Sequence, residues 1–255
     1  MAGTARRRGG ACLDTMLVRE RYKVVRVPDS RENYAFAEAV DILDREQSGC
    51  LLNIYEGPLL REYLPCFDRL DACPAFLDLF LEGDSLVTVF RDCGGTPIDQ
   101  VFYRGDSHSW QTRLEMAERL FHQALCLSDL PPAVSCAAFL SENVRVDEGS
   151  GELSLRFRIL PLEGMNSREL VYLTCDQARK ILLPRFASPR EELEFLDELE
   201  RGSCTGVVQL YALWREHRAE IRSAYEALDK QNFFRRWCSL LWGRVKRRMA
   251  RWKRR

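Results

Sequence analysis

The apolar pattern of this chain changes character at one place, the glycine-rich break Asp92-Cys93-Gly94-Gly95-Thr96-Pro97. Before it, apolar residues come mostly in short strand-like runs, at 22–27, 33–43 and 50–55. Pro28-Asp29-Ser30 and Gln47-Ser48-Gly49 separate those runs, and Gly57-Pro58 opens a helix over 59–70 with Leu60, Leu64 and Phe67 on one side. The clearest hairpin follows: residues 76–81 and 86–90 flank the turn Glu82-Gly83-Asp84-Ser85. After the break the apolar spacing is helical. A short helix covers 98–103, and an amphipathic one covers 109–127 with Leu114, Ala117, Leu120, Phe121, Ala124 and Leu125 on one face, stopped by Pro131-Pro132. A second small hairpin, 143–146 with 153–159, turns at Glu148-Gly149-Ser150-Gly151. Helices at 169–183, 189–201 and 207–228 complete the body, the second announced by Ser188-Pro189-x-Glu191. Strands first and helices after make an α+β fold.

Charge divides the chain a second way. The formal net charge is zero, from 38 basic and 38 acidic residues, but the balance is local. Residues 230–255 hold eleven basic side chains and no acid, so residues 1–229 carry 27 basic against 38 acidic groups, a net −11. An acidic body with a basic end points to contact with a polyanion or a membrane at that end. No apolar run reaches the roughly 18–20 residues of a membrane span. Arg6, Arg7 and Arg8 are not followed by the apolar core of a secretory signal, since Cys12 and Leu13 run into Asp14. The ten cysteines include no Cys-x-x-Cys pair, and three histidines are too dispersed for a metal cluster. The cysteines read as reduced thiols of a cytoplasmic protein, mostly small buried hydrophobes.

The order of elements resembles a protein kinase. Residues 76–96 look like the fourth and fifth strands and hinge of that fold, and 114–159 like its helix E, catalytic loop and following hairpin. Leu140-Ser141-Glu142-Asn143-Val144-Arg145-Val146 resembles the Pro-Glu-Asn end of a kinase catalytic loop. The resemblance implies two lobes: a small antiparallel-sheet lobe with one helix over 21–96 and a shortened helical lobe over 97–229. A disordered basic leader, 1–20, precedes them, and a basic amphipathic tail, 230–255, follows.

The departures carry the functional expectation. A kinase needs glycines in its first hairpin, a strand lysine on the phosphates, a catalytic Asp and a metal-binding Asp. Here 26–36 contains no glycine, and Asn53 stands about where the lysine belongs. Val134-Ser135-Cys136-Ala137-Ala138-Phe139 offers no base, and Arg156-Phe157-Arg158 replaces Asp-Phe-Gly. Asn143 alone matches a metal-ligating position, and one neutral oxygen does not hold Mg²⁺. The resemblance therefore implies a degenerate, pseudokinase-like scaffold or adaptor with no catalytic residue, no cofactor and no metal, a small-molecule substrate being disfavoured. The alternatives are an atypical nucleotide-binding phosphotransferase and a nucleic-acid-binding adaptor acting through the tail.

Three other constellations read as structural first. His122 and Cys126 share a helix face without an activating third group. Asp92 to Thr96 lacks the Gly-Lys-Ser/Thr ending of a phosphate loop. The acidic run from Glu191 to Glu200 reads as the solvated side of a helix, or as a holder for the chain's own tail. The tail is harder to explain as mere surface. On a helical projection Phe234, Trp237, Cys238, Leu241, Trp242, Val245, Met249 and Trp252 line one face. Arg235, Arg236, Arg244, Lys246, Arg247, Arg251 and Lys253 occupy the remainder, and Arg248 intrudes on the apolar side. Such a helix suits an anionic membrane surface or the groove of a protein partner, with nucleic acid as a further reading. The expected location is cytoplasmic, peripheral at the inner face of the membrane.

Overall fold

The computed structural model describes residues 16–67, 70, 73–102, 108–231, 238, 240–242 and 245. A six-stranded antiparallel sheet forms one lobe, in the order β1 (Leu17–Val18), β2 (Tyr22–Arg31), β3 (Tyr34–Asp41), β4 (Gly49–Tyr55), β6 (Ser85–Arg91), β5 (Phe76–Glu82). The sheet curls until its two edges touch. Tyr22 of β2 stacks on Phe80 of β5 with ring centroids 6.1 Å apart, and Arg19 reaches Asp78 at 2.8 Å. The curl encloses a small apolar core of Val18, Tyr22, Ala37, Ala39, Cys50, Leu52, Val87 and Val89. Alternation along each strand sends the other set, Phe36, Leu51, Tyr55, Leu86 and Phe90, to the main core shared with the helices.

Several boundaries differ from the sequence pattern for local reasons. The first strand begins at Leu17, ahead of the expected start at Arg21. Pro28-Asp29-Ser30 is not a turn: β2 runs through it, with register irregularities between Val24 and Asp29, in the stretch that β1 leaves uncovered and where a proline costs no ladder bond. The chain reverses instead at Asn33, whose φ is 61°. The helix that Gly57-Pro58 opens, α1 (Gly57–Tyr63), stops there, and a single 3₁₀ turn, Leu64–Phe67, carries Pro65. The 76–90 hairpin tightens to a two-residue loop at Gly83-Asp84, with Glu82 paired to Ser85.

Past the break, β7 (Thr96–Pro97) joins β8 (Val144–Val146) and β9 (Leu153–Leu155) in a three-stranded sheet. Gly95 makes this approach close: at φ 96° a Cβ there would stand 2.9 Å from the Val146 carbonyl oxygen. The helices are α2 (Ile98–Phe102), α3 (Trp110–Leu127), α4 (Pro132–Ala138), α5 (Ser167–Ile181), α6 (Arg190–Arg201) and α7 (Val207–Asp229). The Ser109 side chain caps α3 by accepting from the Thr112 N–H, and Asn166 caps α5 by accepting from Arg168. Pro131-Pro132 does more than stop α3; it opens α4, with a proline at the first-turn position where no N–H is needed. Ser188 does not cap α6. Its hydroxyl accepts from the Arg185 N–H, and Pro189 takes the cap position without a side-chain bond.

Inside this lobe Trp214, Phe121 and Phe195 pack together, fully or almost fully buried. Glu192, expected on the solvated side of α6, is buried instead: the Tyr225 hydroxyl donates to it at 2.7 Å and Arg113 lies 3.7 Å away. Burial raises its pKa, an effect the nearby Arg113 charge opposes. Three more of the acidic run have partners, Glu194 on Arg190, Glu198 on His217 and Glu200 on Arg179. All nine described cysteines are free thiols, but only Cys50, Cys73 and Cys136 are buried, fewer than a core role for most of them requires.

Candidate functional site: the cleft between the lobes

The second hairpin determines what lies between the lobes. Its outgoing strand was expected to continue to 159, yet β9 stops at Leu155. Residues 156–162 leave the sheet and run along the inner face of the sheet lobe. Asn53 receives them. Its Oδ1 accepts the Ile159 N–H at 2.8 Å and the Tyr34 hydroxyl at 3.1 Å, while its Nδ2 donates to the Phe157 carbonyl at 3.0 Å. A fully buried amide thus serves the passing backbone as a neighbouring strand would. Two tyrosines continue the seam. The Tyr55 hydroxyl donates to the Ile159 carbonyl at 2.7 Å, and the Leu162 N–H donates to the Tyr63 hydroxyl at 3.1 Å. Burial pushes all three phenols up, Tyr63 to about 12, so they bond as neutral hydroxyls.

The side chains of the same segment fill the space. Phe157 is 4% exposed and stacks on Phe90 with centroids 4.9 Å apart and planes 6° from parallel. On either side of it, Arg156 and Arg158 point to the opposite lobe and cover the Phe36 ring at 5.4 and 5.5 Å. Arg156 binds Glu38 of β3 at 2.8 Å and Asp92 of the break at 3.1 Å. Arg158 binds Asp29 of β2 at 2.6 Å and Glu142 at 3.1 Å. Arg26 and Arg31 complete the set on Glu38 and Asp29. Burial pushes the Asp29 and Glu38 carboxyls up, and the arginine hydrogen bonds more than reverse it, so both lie below the usual carboxylate range.

The four guanidiniums and four carboxylates therefore form two charge-balanced chains, Arg26–Glu38–Arg156–Asp92 and Arg31–Asp29–Arg158–Glu142, which meet over the Phe36 ring. Sequence spacing placed Asn53 and Arg156-Phe157-Arg158 as substitutions for charged groups. It gave no sign that they touch each other across about a hundred residues. Nor did it single out Tyr34, Tyr55, Tyr63, Asp29 or Glu38. The one available signal was two arginines beside an aromatic after a short hairpin.

The loop end at Glu142-Asn143 is tied to the same segment. Asn143 Nδ2 donates to the carbonyls of Ala137 at 2.7 Å and Arg158 at 2.9 Å, and its own carbonyl accepts the Arg156 N–H. Its buried Oδ1 has no partner among the described residues. Residues 134–138 lie in α4 and are buried, with Phe139 following as its C-cap. Among the described residues no group of three or more His, Cys, Asp and Glu side chains is placed to hold a metal. His122 and Cys126 meet on the exposed face of α3, Nδ1 to Sγ 3.7 Å, and among the described residues no third side chain is bonded to either.

Most of the tail lies outside the described residues: Phe234, Arg235, Arg236, Trp237, Arg244, Lys246, Arg247, Arg248, Met249, Arg251, Trp252 and Lys253. The described positions are helical. Cys238, Trp242 and Val245 are exposed, the last two at 60% and 47%, Leu241 is half-buried, and Leu240 is buried. No helix among the described residues is long and apolar enough to cross a membrane.

No protein-family model matches this sequence, and no curated protein matches it. Solved structures do. The kinase domain of Mycobacterium tuberculosis PknI superposes with a TM-score of 0.54 at 14% identity, over 80% of this chain and 99% of that one. A double mutant of the same domain gives 0.53 at 13%, over 84% of this chain and 100% of that one.

Proposed function

We propose that this chain, on a protein-kinase-like fold of curled sheet lobe and helical lobe, is a non-catalytic, pseudokinase-like adaptor that works by binding. The observation that carries this reading is the cleft. The chain's own segment 156–162 lies along the inner face of the sheet lobe, held by Asn53, Tyr55 and Tyr63 and by two charge-balanced chains of arginines and carboxylates, and in our reading it takes the place of a nucleotide. Phosphoryl transfer depends on positioned cations beside the phosphates. Here Asn53 replaces the strand cation, and both cleft arginines are already engaged.

The basic tail supplies the attachment. Its cations and tryptophans suit an anionic membrane surface or a protein complex, and exposed Trp242 and Val245 support that reading. In flotation, the full chain is expected to rise with phosphatidylserine-containing vesicles and to stay behind with pure phosphatidylcholine. Indifference to lipid charge would remove the membrane half of the proposal and leave the protein complex.

A further inference from the structure

We propose that Cys126 is a modification site: a hydroperoxide oxidises its thiol to a sulfenic acid, with His122 taking up the thiol proton. The two residues stand four apart on α3, so one turn of helix brings their side chains together. The Cys126 Sγ lies 3.7 Å from His122 Nδ1, within hydrogen-bonding reach for sulfur, and both side chains are exposed. A thiol that an oxidant in solution can reach, with a proton acceptor in contact, meets both requirements of the reaction.

The other described cysteines lack one requirement or both. Cys50, Cys73 and Cys136 are buried, and Cys66, Cys93, Cys175 and Cys204 are half-buried. Burial pushes all of these thiols up, Cys136 to about 11 and Cys175 to about 12, which withholds the reactive thiolate. Cys238 is exposed as well, but the tail that carries it contains no histidine. The step balances with the peroxide as the sole oxidant. Sγ attacks one peroxide oxygen, so that the S–O bond forms as the O–O bond breaks. The thiol proton passes to His122 Nδ1 and from there to the departing hydroxide, which leaves as water. Sulfur gives up two electrons and the peroxide accepts them. Helix α3 carries no second cysteine to condense with the product, so a sulfenic acid there can be trapped.

The test treats the full chain with hydrogen peroxide, traps sulfenic acid with dimedone, and follows each cysteine peptide by mass spectrometry. Cys126 is expected to label ahead of all the buried and half-buried thiols. His122→Ala should slow Cys126 by roughly tenfold or more, less than a fully oriented base contributes because no third side chain holds the imidazole. In the same variant the rate at Cys238 and the melting temperature should stay as they were, and free imidazole should restore part of the rate at Cys126. A Cys126 that labels no faster than the half-buried thiols overturns the site. A fast Cys126 that is indifferent to His122→Ala also overturns the proposal, since exposure alone then accounts for the reactivity. So does an equal slowing at Cys238, which would place the effect in the fold rather than in the pair.

Discussion

Asn53→Leu is expected to destabilise the protein by about 3–9 kcal/mol, a large part of the 5–15 kcal/mol that holds a typical domain together. Leucine fills nearly the same volume, so the loss is one of hydrogen bonding rather than of packing. It strands the Ile159 N–H, the Phe157 carbonyl and the Tyr34 hydroxyl in a site with no solvent. Each stranded group costs about 1–3 kcal/mol, and all three arise from one substitution. Urea denaturation measures the effect as a lowered midpoint at unchanged slope. Asn53→Lys should be no milder. The new ammonium would enter beside Arg156 and Arg158, whose carboxylate partners are already used. A kinase-like open cleft predicts the reverse order, with lysine tolerated and leucine neutral.

Phe157→Ala is the second large effect, at about 3–5 kcal/mol. The ring is buried between the lobes and stacked on Phe90, so its removal leaves a hole that neither lobe can collapse to fill. The stacking component is separable: a double-mutant cycle with Phe90→Ala should return a coupling of about 0.5–1.5 kcal/mol. Additive losses would mean that the two rings are merely both buried. A loss below about 1 kcal/mol would mean that 156–162 sits loosely, which the Asn53 and Arg158 contacts make untenable.

The sequence made some of this architecture legible and concealed the rest for identifiable reasons. The 76–90 hairpin, helix α3 and the change of period at Gly94-Gly95 were readable because each is a local pattern: alternation, a 3.6-residue stripe, a turn residue. Local patterns also misled where tertiary context prevailed. Pro28-Asp29-Ser30 looks like a turn, but the stretch of β2 that β1 leaves uncovered, with its irregular register, can absorb a proline. Glu192 looks solvated, but it is buried, and Tyr225 and Arg113 from other helices offset only part of its desolvation.

The cleft was half legible. That Asn53 and Arg156-Phe157-Arg158 depart from a kinase's charged residues is evident from residue type alone. That they compensate each other is not, because Asn53 and Phe157 are 104 positions apart and no periodicity links them. The tail's composition was fully visible, yet nothing in it marked Leu240 as a buried position.

The central claim is that the chain's own residues 156–162 occupy the place of a nucleotide. Thermal unfolding with and without millimolar ATP and Mg²⁺ tests it most directly. The account predicts superimposable curves. A ligand at a hundred times its dissociation constant adds about 2.7 kcal/mol, which for a chain of this size raises the midpoint by roughly 5–10 °C. A rise of that size, dependent on Mg²⁺, would contradict the closed cleft and return the protein to the nucleotide-binding kinases.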